Sequence, residues 1–226
     1  MWNGRMKAVT FSYDDGVIQD KRLVEIFNSY GLKCTFNLNS GLQSMASEWK
    51  DRNTRVVHMN VNGLKELYAG HEIAVHTMTH PHLELLEDET VYNEIRQDKC
   101  ILEARFGQEI VGMAYPYGTY DDRVIRIAGE CGIKYARTVE YTEGFDLPDE
   151  PLKLAATCHH NNQRLMEIAK EFIELKSDKP ALMYIWGHSY EFDMYNNWEM
   201  IDEFCRFISG RDDIYYGTNR EVLLEE

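Results

Sequence analysis

Two short segments, far apart in the chain, contain residue types that can bind a metal ion. The first, TFSYDDG at positions 10–16, is a strand-like run that ends at the carboxylates of Asp14 and Asp15. The second, HTMTH at positions 76–80, places His76 and His80 four residues apart, directly after an apolar run. Two imidazoles at this spacing can face one cation, and a carboxylate from another strand can complete a three-ligand site. The other carboxylate would then serve as a base, so the two segments together predict a metal-dependent hydrolase.

Each segment has a simpler interpretation when it is taken alone. Asp-Asp-Gly is a common turn sequence, and a lone His-x-x-x-His is more often a surface or packed pair than a pair of ligands. Both segments, however, follow predicted strands, and parallel α/β folds build their sites at the carboxyl ends of strands. This shared position favours the metal site.

A third predicted strand ends in AYPYG at positions 114–118. Here a rigid proline, Pro116, and a glycine flank Tyr117, and such a turn can direct a backbone N–H into a site, as oxyanion binding requires. An ordinary proline turn explains the same residues.

A fourth strand ends in IWGHSY at positions 185–190. The near-neutral pKa of a histidine such as His188 suits a general acid, although a metal ligand or a structural role is also possible. Because two histidines are already assigned to the metal, we interpret His188 as the acid. The ring of Trp186 can form a wall for a sugar or belong to the core.

Composition restricts the class of protein. The chain has 226 residues, of which 44% are hydrophobic and 12% aromatic, which is typical of a globular protein, and one domain over 1–226 is the simplest organisation. The net charge of −14 disfavours binding to nucleic acid or to anionic membranes. The five cysteines are scattered and odd in number, which favours free thiols in a reducing compartment. No apolar leader follows Met1, so we expect a cytoplasmic protein.

Strand-like and helical segments alternate along the chain. We predict strands at 7–13, 34–38, 72–76, 110–115, 134–139, 153–157, 181–186 and 214–216, and helices at 20–30, 61–69, 90–106, 121–131, 162–175, 198–208 and near 220. The stretch 39–53 is predicted to be a polar loop over the site, and 56–59 a short strand or loop. Seven or eight strands with interleaved helices predict an α/β fold, a distorted (β/α) barrel, and an open doubly wound sheet is the alternative. No glycine-rich nucleotide-binding motif is present.

These segments resemble the polysaccharide deacetylases, the NodB-like group that is also called carbohydrate esterase family 4. Positions 10–16 resemble the first signature of the family and 70–81 closely resemble the second, while 116–118 and 185–188 are similar to the third and the last. Positions 30–36 look like its second strand, so the resemblance extends over about 7–189.

The resemblance implies a distorted barrel of about seven strands that removes N-acetyl, or sometimes O-acetyl, groups from a carbohydrate substrate. It implies one divalent metal ion, usually zinc. The residue roles that follow are the base Asp14, the metal ligands Asp15, His76 and His80, the backbone oxyanion donor Tyr117 and the acid His188. Beside these, we expect Pro116 and Trp186 to contact the substrate.

Two positions depart from the family pattern. Ala114 stands where the third signature often has an arginine, which orients the catalytic carboxylate. The fourth signature, an aspartate that partners the acid histidine, has no match around 135–145, where Arg137 is the prominent residue. We therefore expect a divergent member of the family, with Glu191 as the candidate partner of His188.

Other functions are weighed against a zinc-dependent deacetylase. A metal-independent, allantoinase-like amide hydrolase is disfavoured by the intact ligand set, and a catalytically silent carbohydrate-binding barrel by the intact base and acid. A non-haem iron oxygenase usually has an all-β fold, which the alternating pattern disfavours. The adjacent His159 and His160 can line the pocket or hold a second metal, but an exposed loop is the simpler expectation.

Overall fold

The structure is a computed structural model that describes residues 1–43 and 47–224. Its strands are β1 (Lys7–Asp15), β2 (Thr35–Leu38), β3 (Glu48–Asp51), β4 (Thr54–Val57), β5 (Glu72–Val75), β6 (Gly112–Ala114), β7 (Tyr135–Tyr141), β8 (Leu154–Ala156), β9 (Cys158–His159), β10 (Ala181–Gly187) and β11 (Ile214–Tyr216). Its α-helices are α1 (Asp20–Ser29), α2 (Leu64–Leu67), α3 (Asp88–Phe106), α4 (Asp122–Glu130), α5 (Leu165–Glu174), α6 (Tyr190–Met194), α7 (Trp198–Ile208) and α8 (Asn219–Leu223).

The parallel strands form a closed ring. Their order is β8-β7-β6-β5-β2-β1-β10-β9, and β11 pairs with the first part of β1 outside this path. Strands β8 and β9 are consecutive pieces of one segment, separated by Thr157, whose N–H donates to the carbonyl of Tyr184 at 2.8 Å. This segment pairs with β7 at its start and with β10 at its end, so it closes a barrel of seven strand positions. The predicted distorted (β/α) barrel is confirmed, and the open doubly wound sheet is wrong.

Strand β1 shows how the barrel distributes its side chains. Phe11 and Tyr13 belong to the main hydrophobic cluster, which includes the buried faces of the helices. The intervening Ser12 and Asp14 point the other way, and the side-chain amide of Asn37 in β2 donates to both at 2.8 Å. Because successive residues of a strand point to opposite faces, the same alternation builds the core and brings polar groups into the barrel.

The helices surround the strands with amphipathic faces. Helix α7 buries Ile201, Phe204 and Ile208, all at helical spacing. Helix α4 begins after Asp121, whose carboxylate accepts the backbone N–H of Val124 at 2.8 Å, as an N-cap does. Within 1–43 and 47–224, no helix combines the length and the apolar character that a membrane crossing requires.

The hairpin of β3 and β4 is the main difference from the predicted elements. The stretch 39–53 was predicted to be a polar loop, but Glu48–Asp51 pairs antiparallel with Thr54–Val57. Positions 44–46 of that stretch lie outside the described residues. Strand β3 is almost entirely exposed, so it lacks the apolar alternation that marks a strand in sequence. The predicted helix at 61–69 is reduced to the single turn α2.

Candidate active site

Asp15, His76 and His80 come together at the carboxyl edge of the barrel. The Nε2 atoms of His76 and His80 lie 3.6 and 3.7 Å from Oδ1 of Asp15. Ligand atoms ~2.0–2.2 Å from a tetrahedral ion lie about 3.3–3.6 Å from one another, so this spacing fits one cation. Burial lowers the pKa of both imidazoles to about 4, so both present a neutral nitrogen. The donor set therefore suits a divalent ion.

Second contacts hold the first histidine in the orientation that a ligand needs. Nδ1 of His76 lies 2.8 Å from the carbonyl of Ala114, and a proton on Nδ1 leaves the lone pair on Nε2, towards Asp15. The buried carboxyl of Asp98 accepts the backbone N–H groups of His76 at 3.2 Å and of Ser40 at 2.7 Å. The imidazole is thus fixed from both its ring and its backbone.

Backbone strain is concentrated at this edge. Asp15, Thr77, His80 and Tyr117 have φ angles of 80°, 67°, 57° and 57°. Residues other than glycine rarely adopt this left-handed region of backbone conformation, and such conformations cluster at functional sites. For Asp15 the turn also interrupts the strand alternation, so that both neighbouring carboxylates reach the same cavity.

The other carboxylate, Asp14, is paired with a buried arginine. The guanidinium of Arg137 donates to Oδ2 of Asp14, and the side chains are only 1% and 4% exposed. Burial is the largest influence and opposes ionisation, but the charge and hydrogen bond of Arg137 and the nearby imidazoles of His76 and His188 together outweigh it, and the pKa of Asp14 is lowered to about 2. Asp14 is therefore ionised at neutral pH. Arg137 lies on β7. It contacts the carboxylate that, in the family pattern, is oriented by an arginine at the position of Ala114.

His188 approaches the same carboxylate oxygen of Asp14 as Arg137 does. Its Nε2 is 3.8 Å from Oδ2 of Asp14, and its Nδ1 is 3.5 Å from Oε2 of Glu191. Burial lowers the pKa of His188, but hydrogen bonding to Glu191 and the carboxylates of Asp15 and Asp14 outweigh it and raise this pKa to about 9. The imidazole is therefore protonated at neutral pH, as an acid must be.

Glu191 contacts two further histidines, His159 and His160. Its Oε2 lies 3.1 Å from Nε2 of His159 and 3.3 Å from Nε2 of His160. His160 is fully buried, so the expectation of an exposed histidine pair is wrong. It packs against Gly187, where an added Cβ would lie 2.0 Å from Nδ1 of His160. The glycine in the IWGHSY segment is thus required by this imidazole.

His159, His188 and Glu191 also have the donor types of a metal site, with their donor atoms within 4.8 Å of one another. However, the backbone N–H of Asn161 donates to Nδ1 of His159 at 3.1 Å. A neutral His159 must then carry its proton on Nε2, where it donates to Glu191 instead of offering a lone pair. This group therefore fits a carboxylate held between imidazoles, and not a second metal.

The turn at Pro116–Gly118 places a backbone donor beside the metal ligands. The N–H of Tyr117 has no acceptor among the described residues, so it is free to bind an oxyanion. The Tyr117 ring is 54% exposed and lies 4.5 Å from the ring of His80. Pro116 is buried and is not among the described residues that line the cavity, so its substrate contact stays a prediction.

A cavity of about 600 Å³ opens over these groups. Its lining includes both aspartates, the histidines of the three-ligand group, His188 and Trp186. Trp186 is mostly buried, and one face of its ring lies under the guanidinium of Arg137 at 4.4 Å. The volume is in the range of small-molecule sites. The sequence could have indicated Arg137, because a charged residue inside a buried strand must have a partner.

Comparisons with known proteins agree with this geometry. The model of the polysaccharide deacetylase family matches residues 3–136. Chitin deacetylase 1 of Cryptococcus neoformans is 33% identical over 79 residues, which are 35% of this chain and 17% of that protein. A Streptococcus pyogenes deacetylase in complex with acetate is 26% identical, with a TM-score of 0.56 over 64% of this chain and 61% of that chain.

A family 4 acetyl xylan esterase from Clostridium thermocellum, in complex with a cobalt ion, has a TM-score of 0.62. The match covers 96% of this chain and 90% of the esterase chain. At 13% sequence identity, this similarity shows the fold alone. The chain spans less than half the length of the curated relatives that it matches, 17% of the chitin deacetylase and 45% of a putative polysaccharide deacetylase from Bacillus subtilis. The family model matches more than half of the chain, and the matched part contains Asp14, Asp15 and both histidines of the three-ligand group. The chain therefore belongs to the polysaccharide deacetylase family.

Proposed function

We propose that this protein is a metal-dependent hydrolase that removes acetyl groups from an N-acetylated sugar or from an oligo- or polysaccharide. One observation carries the proposal: an ionised carboxylate, a protonated imidazole and a three-ligand donor set open into one cavity. Membership of the deacetylase family supports the same chemistry.

Asp15, His76 and His80 would hold the metal ion. One carboxylate with two neutral imidazoles suits zinc. A structure of the same fold, the acetyl xylan esterase, is a complex with a cobalt ion, which supports a divalent cation. When bound, the ion supplies Lewis acidity that polarises the acetyl carbonyl and makes water a better nucleophile.

The remaining steps belong to this chain's own residues. Asp14, kept ionised by Arg137, accepts the proton of the attacking water. The free N–H of Tyr117 donates to the oxyanion that forms as the carbonyl carbon becomes tetrahedral. His188 then donates its proton to the departing amine nitrogen, and Glu191 stabilises the imidazolium before that transfer.

A metal titration linked to an acetate assay tests the proposal. Purified protein should bind one divalent ion, and chelation should abolish acetate release from N-acetylated sugars until zinc is returned. His80→Ala should lose the ion and the activity together. His82→Ala is the matched control, because His82 lies in the same segment but outside the three-ligand group, and it should keep the ion. Full activity of metal-free protein would overturn the proposal and favour an allantoinase-like hydrolase.

The substrate is therefore proposed to be a carbohydrate. A cytoplasmic location stays a prediction, and the five free cysteines, four of them buried, are compatible with a reducing compartment.

A further inference from the structure

The unpredicted hairpin is attached directly to the catalytic edge. Its base forms an antiparallel bridge between Val17 and His58, and the N–H of Met59 donates to the carbonyl of Gly16 at 2.9 Å. Gly16 follows the proposed metal ligand Asp15. The hairpin therefore has a defined position beside the cavity.

Trp49 is the residue of this hairpin that reaches the cavity. It is the only residue of β3 that is not exposed, and it lines the same cavity as the catalytic groups. Its ring lies 4.9 Å from the ring of His58 and 5.6 Å from that of Tyr190, which it meets at 85°. The Tyr190 ring is in turn 5.2 Å from the ring of His188. Through Tyr190, these contacts hold the indole one aromatic ring away from the proposed acid.

Core packing does not account for this tryptophan. Trp49 belongs to neither hydrophobic cluster of the described residues, and its strand neighbours are Glu48 and Lys50, both exposed. A large aromatic side chain half-exposed in a cavity offers a face to a ligand instead.

A second aromatic surface lies beside His80 of the three-ligand group. The rings of Tyr117 and His82 stack at 3.9 Å with an angle of 9°, and Tyr117 also contacts His80. The cavity thus has one aromatic wall at Tyr117, which contacts His80, and another at Trp49 and Tyr190, of which Tyr190 contacts His188.

The charged side chains in and around the cavity are paired with one another. No lysine or arginine is among the described residues that line it, and Arg137 is paired with Asp14. The imidazole of His188 faces the carboxylates of Asp14 and Glu191. A carboxylate, sulfate or phosphate on the substrate would therefore lose its hydration without gaining a cationic side chain that is not already paired.

We propose that Trp49 is a stacking platform for an uncharged sugar ring and determines the substrate specificity of the site. The hydrophobic C–H face of a sugar packs on the indole while the hydroxyl groups remain hydrated at the cavity mouth. This inference rests on the proposed deacetylase function and specifies its substrate as a neutral N-acetylated sugar.

Substitutions of Trp49 test the platform. Trp49→Ala should raise KM for oligomers of N-acetylglucosamine on the order of tenfold and change kcat less, whereas Trp49→Phe should recover part of the affinity. The ratio of kcat/KM for the oligomer to that for an aryl acetate, which has no sugar, should fall in Trp49→Ala. Lys50→Ala, an exposed change in the same strand, should leave both constants unchanged. An N-acetylated sugar that carries a carboxylate should be a poor substrate of the native protein.

A binding titration separates this inference from the proposed function. Oligomers of N-acetylglucosamine should change the tryptophan fluorescence of the zinc-loaded Asp14→Asn protein. Most of that change should be absent in the double variant that also carries Trp49→Phe. This readout needs no turnover. If the native protein releases no acetate while the Asp14→Asn protein still binds the sugar, the deacetylase function is refuted and the platform is not. Equal losses of Trp49→Ala on oligomer and aryl acetate, or an unaltered fluorescence response in the Trp49→Phe background, would overturn the platform.

Discussion

The ion pair between Arg137 and Asp14 leads to a quantitative prediction. Both side chains are buried, and the pKa of Asp14 falls from 3.8 to about 2 although burial acts to raise it. A net change of about two pKa units corresponds to ~2.5 kcal/mol in favour of the carboxylate. Arg137 is the largest of the groups that favour ionisation, ahead of His76 and His188. Because the folded-state pKa is depressed, this stabilisation is present above about pH 4 and is lost as the pH falls towards 2.

Arg137→Met keeps a long apolar side chain and removes the charge. The pKa of Asp14 should then rise, because burial is the largest influence and would be less opposed. The acidic limb of the kcat/KM profile for acetate release should therefore move up by roughly two pH units. The free energy of unfolding at neutral pH should fall by ~3–5 kcal/mol, since a buried carboxylate loses its partner. Metal content measured at each pH distinguishes protonation of Asp14 from loss of the ion.

Two variants make this test specific. Arg137→Met combined with Asp14→Asn should be more stable than Arg137→Met alone, because the unpaired charge is gone. Arg123→Met is the control, since Arg123 is 29% exposed and pairs with Asp88 at the surface, and it should cost less than ~1 kcal/mol. If Arg137→Met has native stability and an unmoved acidic limb, Arg137 does not maintain the charge of Asp14.

Four further predictions concern single side chains. Asp14→Asn should retain the metal and lower kcat by ~10²–10⁴-fold, measured by acetate release, because it removes only a positioned base. His188→Ala should lose more rate on an N-acetylated sugar than on an aryl acetate, because an amine must be protonated to leave and a phenolate need not be. Glu191→Gln should lower the pKa of His188 and move the alkaline limb of the rate profile to lower pH. Burial raises the pKa of Asp20 to about 7, so this carboxyl should lower the free energy of unfolding, measured in urea, by up to ~4 kcal/mol between about pH 4 and pH 7. Asp20→Asn should remove this share of the slope, while Asp98, whose pKa burial also raises to about 7, keeps its own.

Each of these has a clear contrary result. Loss of the metal in Asp14→Asn would mean that the ligand and base assignments are reversed. Equal losses on the two acetates would exclude the acid role of His188, and an unmoved alkaline limb in Glu191→Gln would exclude the carboxylate as its partner. A pH slope that is unchanged in Asp20→Asn would show that Asp20 does not contribute to it.

The sequence by itself determined the local features of this protein. Hydrophobic periodicity located most strands and helices, and helix α7 and strand β11 have the bounds predicted for them. The paired carboxylates and the two histidines were recognisable because their spacing is a property of neighbouring residues, and the end of each predicted strand indicated a common edge.

Tertiary structure alone decided which distant residues meet. Arg137 reaches Asp14 because β7 and β1 enclose the same barrel interior, and closure of the ring through Leu154–His159 brings His159 to Glu191. The hairpin that carries Trp49 could not be predicted from the sequence, because an exposed strand lacks the alternation of apolar and polar residues that marks a half-buried strand. Glu191, the partner proposed for His188, is only three residues away in the chain, and the structure places it beside that imidazole. Strand register and ring closure are non-local, so Arg137 as the partner of the base and His159 as a further partner of Glu191 could be assigned only from the folded chain.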